Sequence, residues 1–295
     1  MEGSGPEGRL SLIDLHSHSR ASDGSLTPTE LIDLAAVSGV GVLALTDHDT
    51  VAGIPEAEAA AARRGIRLVR GVEIEVAFSP GEFHLLGLDL AAIDGELGEA
   101  LAGLAEARVE RNRRILERIN EAGIEVDMAE LEAIARAGTE EFGGLDGQIG
   151  RPHIASLLVA KRVVRNRQEA FDLYLAKGKP FYEAKDCLGL EEAIELIHGA
   201  GGLAIAAHPR SLFISWGRIA ERMDEWKELG IDGIEAWHPT AKPGECRRLE
   251  RMGRERGFRI TAGSDFHGAA RPERRLGRTA GRLAIGDEWL AALER

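Results

Sequence analysis

The stretch Leu10-Ser-Leu-Ile-Asp-Leu-His16-Ser-His18-Ser-Arg-Ala-Ser-Asp23-Gly24 is an apolar run of β-strand character that ends in two histidines one residue apart. Side chains at positions i and i+2 of a strand point the same way. The imidazoles of His16 and His18 are therefore expected to aim at one point where the strand ends. Asp23 follows on a loop that can fold back over that point. This stretch predicts the start of a metal site, with further ligands expected at the ends of later strands.

Strands and helices alternate on both sides of a long helical stretch. Apolar runs that predict strands lie at 40–46, 66–75, 83–88, 203–208, 231–238 and 258–267. With the opening strand they make about seven, separated mostly by helices whose length favours parallel βαβ units. The fold class is therefore α/β. This number of strands favours a closed or nearly closed barrel, whose functional residues belong at the C-terminal strand ends.

Residues 98–184 carry almost only helical signals. Apolar residues recur at helical spacing over 98–122, and Asp127 and Asn166 are candidate N-caps of later helices. We interpret this block as a helical subdomain inserted into the α/β domain, so that 10–97 and 185–295 are the two parts of the barrel. The first helix of the block carries four arginines that we expect on a solvated face, namely Arg108, Arg111, Arg113 and Arg114.

Composition limits the classes of function. The chain has 295 residues, 44% of them hydrophobic, which is enough for a sizeable core. It contains no apolar run of the ~20 residues that a membrane span needs, no signal peptide is recognisable at the start, and two cysteines make no disulfide framework, so we expect a cytoplasmic protein. The net charge of −12 argues against binding long duplex nucleic acid. A small anionic substrate is not excluded, because divalent cations would reverse the local field.

Ligand-type side chains recur where the predicted strands end. They are His16, His18, Asp23, His48, Glu73, His84, His208, Asp265 and His267. Each alone could be an ordinary capping or hydrogen-bonding group, but together they are too many for one ion. Imidazole with carboxylate suits zinc, manganese or iron rather than calcium. Ions roughly 3.5–4 Å apart need a bridging ligand, which Glu73 can supply, and a hydroxide held between them is a nucleophile at neutral pH.

The motifs that carry these groups follow one another in a defined order. They are Asp14-Leu15-His16-Ser17-His18, Asp23-Gly24, Thr46-Asp47-His48-Asp49-Thr50, Gly71-Val72-Glu73, His84, Ala207-His208-Pro209 and Gly263-Ser264-Asp265-Phe266-His267. In this order the sequence resembles the PHP (polymerase and histidinol phosphatase) superfamily of metallophosphoesterases. The resemblance implies a distorted (β/α)7 barrel that binds about two to three divalent ions. The usual ion is Mn²⁺, with Mg²⁺, Zn²⁺ or Fe²⁺ as alternatives.

The resemblance also implies the role of each ligand-type residue. It assigns one ion to His16, His18, Glu73 and Asp265, a second to Glu73, His84 and His208, and a third to Asp23, His48 and His267. It makes Glu73, His208 and Asp265 the catalytic residues.

The predicted insertion narrows the implied substrate. Its Gly150-Arg151-Pro152-His153-Ile154-Ala155 and Gly178-Lys179-Pro180-Phe181 are similar to stand-alone PHP phosphoesterases. That group includes enzymes that remove the 3′-phosphate from nucleoside 3′,5′-bisphosphates such as pAp, and a 5′→3′ exoribonuclease that trims short RNA. The implied substrate is a small anionic nucleotide or short oligonucleotide, hydrolysed by attack of metal-bound hydroxide on phosphorus. Arg151 and His153 at a predicted helix start, and Arg210 after His208-Pro209, are candidates to bind a non-reacting phosphate.

Three alternatives remain open at this point. A histidinol-phosphate phosphatase would share the metal motifs. An amidohydrolase also opens with His-x-His, but it does not require Asp23, His48 and His267 and commonly bridges its metals through a modified lysine, whereas no lysine precedes Lys161 here. A non-catalytic metal-holding module is disfavoured because no ligand is missing. The sequence does not indicate the oligomeric state.

Overall fold

The computed structural model describes residues 12–78, 83–137 and 149–294. Its strands are β1 (Leu12–Asp14), β2 (Val40–Leu45), β3 (Arg67–Val76), β4 (Phe83–Leu88), β5 (Leu203–Ala206), β6 (Gly233–Trp237) and β7 (Arg259–Ala262). Its α-helices are α1 (Pro28–Val37), α2 (Ile54–Arg64), α3 (Gly95–Glu121), α4 (Met128–Ala137), α5 (Arg151–Ala160), α6 (Arg167–Ala170), α7 (Leu190–Gly199), α8 (Trp216–Glu228) and α9 (Pro243–Glu255). A π-helical turn, Phe171–Leu175, continues α6. Residues 10 and 11 of the predicted first strand lie outside the described residues.

Local capping signals set the helix boundaries. The Thr27 hydroxyl accepts a hydrogen bond from the Glu30 N–H at the start of α1, and the Glu30 carboxylate accepts one from the Thr27 N–H. This capping box satisfies two backbone donors that would otherwise have no partner. Asp127 and Asn166 cap α4 and α6 as predicted, since each accepts from the N–H three residues later.

The seven strands form one sheet in the order β1 to β7. Neighbours are parallel from β1 to β3 and from β5 to β7, but β4 is antiparallel to both β3 and β5. The expectation of parallel units is therefore wrong for β4, because only six residues separate it from β3, and a parallel connection needs a crossover of a dozen or more. As a consequence, β4 begins at the edge of the sheet where the other strands end.

The two outer strands of the sheet approach each other just beyond their ends. Ser17 and Phe266 form an isolated parallel bridge. The N–H of Asp265 donates to the carbonyl of His16 at 2.9 Å, and the N–H of His18 donates to the carbonyl of Phe266 at 2.9 Å. The α/β class is thus confirmed, with a barrel-like sheet whose edges are joined by these bonds at the end that carries the ligand-type residues.

The predicted helical block has an apolar core of its own. Side chains from α3 to α6 form a cluster that includes Ile115, Ile119, Leu131, Ile154 and Leu158. Asn112 on α3 donates to the carbonyl of Ile149 at 2.8 Å, which ties α3 to the start of α5. Separate cores favour the division at 98 and 184, which stays a prediction. The glycine-rich segment 138–148 lies outside the described residues, and no helix within them has the length and hydrophobicity to span a membrane.

Candidate active site

All nine predicted ligand residues lie at the same edge of the sheet. His16, His18 and Asp23 follow β1, His48 follows β2, His208 follows β5, and Asp265 and His267 follow β7. Glu73 lies within β3, and His84 is the second residue of β4. Because β4 is antiparallel, its first residues share this edge with the ends of the parallel strands. The reversal of β4 is therefore what brings His84 into the group.

One group of four side chains is almost closed to solvent. Nε2 of His16 lies 3.0 Å from Nε2 of His18, and both atoms lie 3.2 Å from Oε2 of Glu73. Oδ1 of Asp265 is 3.1 Å from Nε2 of His18 and 3.5 Å from Nε2 of His16. These four atoms lie within 4.8 Å of one another. They are the set that the resemblance assigns to one ion.

A second group surrounds Asp23. Its Oδ1 lies 3.2 Å from Nε2 of His267 and 3.9 Å from Nε2 of His48. The other ring nitrogen of His18, Nδ1, lies 3.7 Å from the same oxygen. Buried Asp47 shapes the loop, since it accepts hydrogen bonds from the N–H and hydroxyl of Ser19 and from the hydroxyl of Ser22. Asp23 thereby reaches the histidines as expected from the sequence.

Glu73 joins the groups because its two oxygens face different partners. Oε2 faces His16 and His18, and it also lies 3.2 Å from Nδ1 of His48. Oε1 lies 2.8 Å from Nδ1 of His84 and 2.9 Å from Nε2 of His208. A carboxylate placed in this way can bridge two cations.

Hydrogen bonds outside the groups fix the orientation of several rings. Nδ1 of His16 donates to Oε1 of Glu235 at 3.0 Å, which leaves Nε2 of His16 as a lone-pair donor. Nδ1 of His267 donates to the carbonyl of Asp265 at 2.8 Å, with the same effect on its Nε2. Gly263 is required below His16, because a Cβ there would lie 2.3 Å from Cβ of His16. Metal-binding histidines are usually held by such partners.

Asp265 is held from the side that faces away from the histidine pair. Oδ2 accepts from Arg274, which is 5% exposed, and from Nε2 of His238 at 3.0 Å. The N–H of Thr240 donates to Nδ1 of His238, so His238 carries its proton on Nε2. Asp265 also has φ of 49°, a left-handed conformation that costs energy for a non-glycine residue. Arg274, His238 and Glu235 lie outside the sequence motifs, so the sequence did not identify them as functional residues.

The charges of the groups are strongly coupled. Burial alone would raise the pKa of Glu73 and Asp265, but the surrounding histidines outweigh it and hold both pKa values well below their usual range. Burial alone would lower the pKa of His18, but Asp265 and Glu73 outweigh it and raise the pKa of His18 to about 10. Burial lowers the pKa of His48 to about 4, although Glu73 and Asp23 oppose the shift.

The donor set fits bound divalent cations. Oδ1 of Asp265 and Nε2 of His267 are buried, and neither makes a well-aligned hydrogen bond to a described residue; they face other ligand-type atoms, Nε2 of His18 at 3.1 Å and Oδ1 of Asp23 at 3.2 Å. Buried polar atoms are normally hydrogen-bonded, so two acceptors that face only such atoms fit a bound cation. Cations at these clusters would satisfy both atoms and neutralise the carboxylates.

A cavity of about 830 Å³ opens beside the ligand-type residues. Its lining includes Asp23, His48, His84 and His267, together with six cationic side chains: Arg108, Arg111, Arg151, Arg167, Lys185 and Arg271. His153, which the sequence makes a candidate to bind a phosphate, also lines it. Arg210 does not, because its guanidinium pairs with Glu245 at 3.1 Å and lies over the ring of Trp216. This placement does not support the predicted phosphate contact of Arg210.

The expectation of a solvated face on α3 is wrong for two of its four arginines. Arg108 and Arg111 line the cavity, and Arg111 is only 4% exposed. Arg113 and Arg114 are exposed or half-buried and pair with Glu110, as expected. A signal was present in the sequence, since positions 108 and 111 continue the apolar stripe of 101, 104, 115 and 119 along α3.

Asp49 connects the ligand groups to two of these cations. Its side chain is fully buried and accepts from Nη2 of Arg108 at 2.7 Å and from Nζ of Lys185 at 2.8 Å. Its Oδ1 accepts from the N–H of Glu75, and its own N–H donates to the carbonyl of Glu73. Burial alone would raise the pKa of Asp49, but Lys185 and Arg108 outweigh it and lower that pKa. Asp49 thus fixes cations of the cavity relative to β3.

Comparison with known proteins gives relatives over nearly the whole chain. A PHP domain model matches residues 14–232. The 3′,5′-nucleoside bisphosphate phosphatase of Chromobacterium violaceum is 36% identical over 267 residues, which cover 90% of this chain and 91% of that protein. The 5′-3′ exoribonuclease of Haemophilus influenzae is 37% identical over 254 residues, 86% of this chain and 89% of that protein. A solved structure from Bifidobacterium adolescentis, described as a metal-dependent phosphoesterase, covers 97% of this chain and 98% of its own at 30% identity and a TM-score of 0.76.

Proposed function

This chain belongs to the PHP domain family of metal-dependent phosphoesterases, and from that premise we propose that it hydrolyses the 3′-phosphate of nucleoside 3′,5′-bisphosphates and acts on short 5′-phosphorylated oligonucleotides. Both reactions break the same bond, the P–O3′ bond of a nucleoside that also carries a 5′-phosphate, in a monoester in the first substrate and in a diester in the second. One site can therefore serve both reactions. The two relatives named after these activities support this choice.

The observation that carries the proposal is the composition of the cavity. Ligand-type residues and six cationic side chains line the same space of about 830 Å³ in a chain of net charge −12. Concentrated cations in an acidic protein favour an anionic ligand. A substrate with two phosphates can place the reacting one at the ligand groups and the other among the cations.

The roles of the individual residues follow from their geometry. Divalent ions, for which we propose Mn²⁺, would polarise the phosphoryl oxygens and activate water when bound. Glu73 spans the ligand groups with its two oxygens, and Asp265 offers a single free oxygen to His16 and His18 because Arg274 and His238 occupy the other. The backbone N–H of His208 donates to Oε2 of Glu235 at 3.0 Å, and Nδ1 of its ring lies 2.9 Å from the hydroxyl of Ser211, which orients Nε2 toward Glu73.

Two other functions fit the cavity less well. Histidinol phosphate carries one phosphate and an ammonium group, and the ammonium would face the cations of the lining. A non-catalytic module would have no need for a cation-lined cavity beside a full set of ligand residues.

Phosphate release from pAp and from histidinol phosphate, and release of nucleoside 5′-monophosphates from a 5′-phosphorylated RNA trinucleotide, test the proposal, with Mn²⁺ added back to metal-stripped protein. We expect Mn²⁺-dependent turnover of pAp and of the trinucleotide, and its loss in Asp265→Asn. Asp287→Asn, in the C-terminal 3-10 turn, serves as a matched control. Turnover of histidinol phosphate alone, or of none of the three while metal binds, would contradict the proposal.

A further inference from the structure

Phe213 places an aromatic ring in solvent at a cost to the fold. Its side chain is 87% exposed, and its backbone has φ of 54° and ψ of 28°, a left-handed conformation that is unfavourable for a bulky residue. An exposed apolar side chain alone is ordinary. Glycine or asparagine would suit this backbone, however, and a polar residue would suit this surface. An exposed ring on a strained backbone indicates a residue kept for contact with another molecule.

The loop that carries Phe213 is held in place by Arg210. Nη1 of Arg210 donates to the carbonyl of Ile214 at 3.2 Å, and its Nε donates to Oε1 of Glu245 at 3.1 Å. The guanidinium carbon lies 4.7 Å from the ring centre of Trp216. These contacts join the chain on both sides of Phe213 to the start of α9. The ring is therefore presented by an ordered loop, which lowers the cost of binding.

This loop lies beside the ligand-type residues but outside the cavity. It begins at His208, whose Nδ1 lies 2.9 Å from the hydroxyl of Ser211. The loop follows β5 and α9 follows β6, so the loop and the start of α9 lie at the sheet edge where the ligand residues meet. None of the described residues that line the cavity falls between 186 and 266. The loop thus borders the ligand groups on a different side from the cavity.

Positive charge accompanies the ring. Arg248 on α9 is exposed, and its guanidinium carbon lies 4.3 Å from the ring centre of Trp216, the same ring that Arg210 contacts. Arginines further along α9 pair with glutamates of that helix, whereas Arg248 forms no ion pair with a described residue. A cation and an exposed aromatic ring on one surface suit single-stranded nucleic acid, whose phosphates meet the cation and whose bases stack on the ring.

We propose that Phe213 binds RNA by stacking on the base of the nucleotide that follows the scissile phosphate, with Arg248 beside the RNA backbone. This inference rests on the proposed function, in which the reacting phosphate lies at the ligand groups and the nucleotide with the 5′-phosphate occupies the cavity. The nucleotides that follow must leave the ligand groups on another side, where the loop of Phe213 lies. Phe213 therefore favours oligonucleotides over pAp, which ends at its 3′-phosphate, and it accepts any base because every base has a π face.

The kinetic test compares a 5′-phosphorylated RNA trinucleotide with pAp, which has no nucleotide after its reacting phosphate. Phe213→Asn suits a left-handed backbone but has no ring. In this variant the ratio of kcat/KM for the trinucleotide to that for pAp should fall by about 5- to 150-fold, the range of base–aromatic stacking. Phe213→Tyr keeps the ring and should keep the ratio. Val37→Asn is the matched control, because Val37 is 81% exposed at the end of α1, near the sheet edge where β2 begins.

A binding test separates this inference from the proposed function. A trinucleotide with fluorescent 2-aminopurine as its second base, titrated into metal-free protein, should bind about 5- to 150-fold more weakly to Phe213→Asn than to wild type or Val37→Asn. If wild type hydrolyses neither substrate but this difference holds, the proposed function fails and the stacking site stands. Phe213→Asn should keep or raise the Tm, since it relieves the strained backbone, which guards against misfolding as the cause.

Three results would overturn the inference. The first is an equal loss of activity on both substrates in Phe213→Asn, and the second is equal binding of the trinucleotide by Phe213→Asn and wild type. The third is a loss of self-association in Phe213→Asn with an unchanged kcat/KM ratio, which would assign the ring to a contact with a second copy of this chain.

Discussion

At the scale of single residues, the site depends on carboxylates whose two oxygens have different partners. Oε1 of Glu73 faces His84 and His208, while Oε2 faces His16, His18 and His48. If one of these oxygens accepted a hydrogen bond from an N–H instead, Glu73 could not face both sets of histidines. The sequence placed Glu73 on a strand beside the histidines, but the assignment of each oxygen needed the tertiary structure.

We therefore expect Glu73→Gln to lose bound metal and activity together. The amide keeps the shape but has no charge and only one acceptor oxygen, so it cannot bridge two cations. The Mn²⁺ content after dialysis should fall by about one ion or more per chain, and phosphate release by at least about 100-fold. Elemental analysis and steady-state kinetics measure the two effects. Glu117→Gln, on the exposed side of α3, is the control, and full metal content in Glu73→Gln would refute the bridging role.

Arg274 permits a second test at this scale. It donates to both the backbone carbonyl and Oδ2 of Asp265, and so it holds the carboxylate with Oδ1 directed at the histidine pair. Arg274→Met should weaken Mn²⁺ binding by about 10- to 100-fold, the usual effect of losing a partner that orients a ligand. Adjacent Arg275 is exposed, so Arg275→Met should bind Mn²⁺ as wild type does. Equal affinity of the two variants would show that His238 alone positions Asp265.

At the scale of secondary structure elements, local signals predicted most of the fold. The N-caps at Asp127 and Asn166 lie where the sequence indicated, because the partners of a cap are within three residues. The direction of β4 was not predictable from its own residues. It depends on pairing with β3 and β5, and only the shortness of the connection after β3 signalled the reversal.

The face of α3 shows where sequence periodicity misleads. Charged positions on a helix usually indicate solvent, and that rule holds for Arg113 and Arg114. It fails for Arg108 and Arg111, because the surface they meet is a cavity formed by distant segments rather than bulk water. Their place in the apolar stripe was informative, but which segment covers that stripe could be known only from the fold.

The link between α3 and β3 yields a prediction about stability. Asp49→Asn removes the charge that compensates Arg108 and Lys185, both largely buried, and should lower the free energy of unfolding by about 2–4 kcal/mol. Asp33→Asn breaks an exposed pair with Arg64 and should leave the free energy of unfolding almost unchanged. Urea unfolding of the metal-free proteins measures both values. Equal losses in the two variants would contradict a structural role for the buried pairs.

At the scale of the whole molecule, the charge distribution matters more than the net charge. The chain is acidic overall, yet six cations line one cavity. Composition argued against a broad nucleic-acid surface but could not locate this concentration of cations, since its members come from α3, the start of α5 and α6, residue 185 and residue 271. The motif order, by contrast, predicted which ligand residues converge, because parallel strands end at a common edge of the sheet.

The last prediction concerns metal and pH in the intact protein. In the metal-free state the pKa of His18 is raised from 6.5 to about 10, so its protonation stabilises the fold fully below about pH 6.5, and this stabilisation is lost as the pH rises through about 10. A cation must displace that proton, so metal affinity should increase with pH across this window.

A bound ligand stabilises the native state more as its affinity increases, by about 2.7 kcal/mol at 100 times its Kd. The rise in Tm caused by a fixed Mn²⁺ concentration should therefore be larger at about pH 8 than at about pH 6.5. Calorimetry with and without Mn²⁺ measures this difference, with Glu73→Gln as the variant that should show little response at either pH. A rise in Tm that is the same at both pH values would mean that cations bind without displacing a proton from the histidine group.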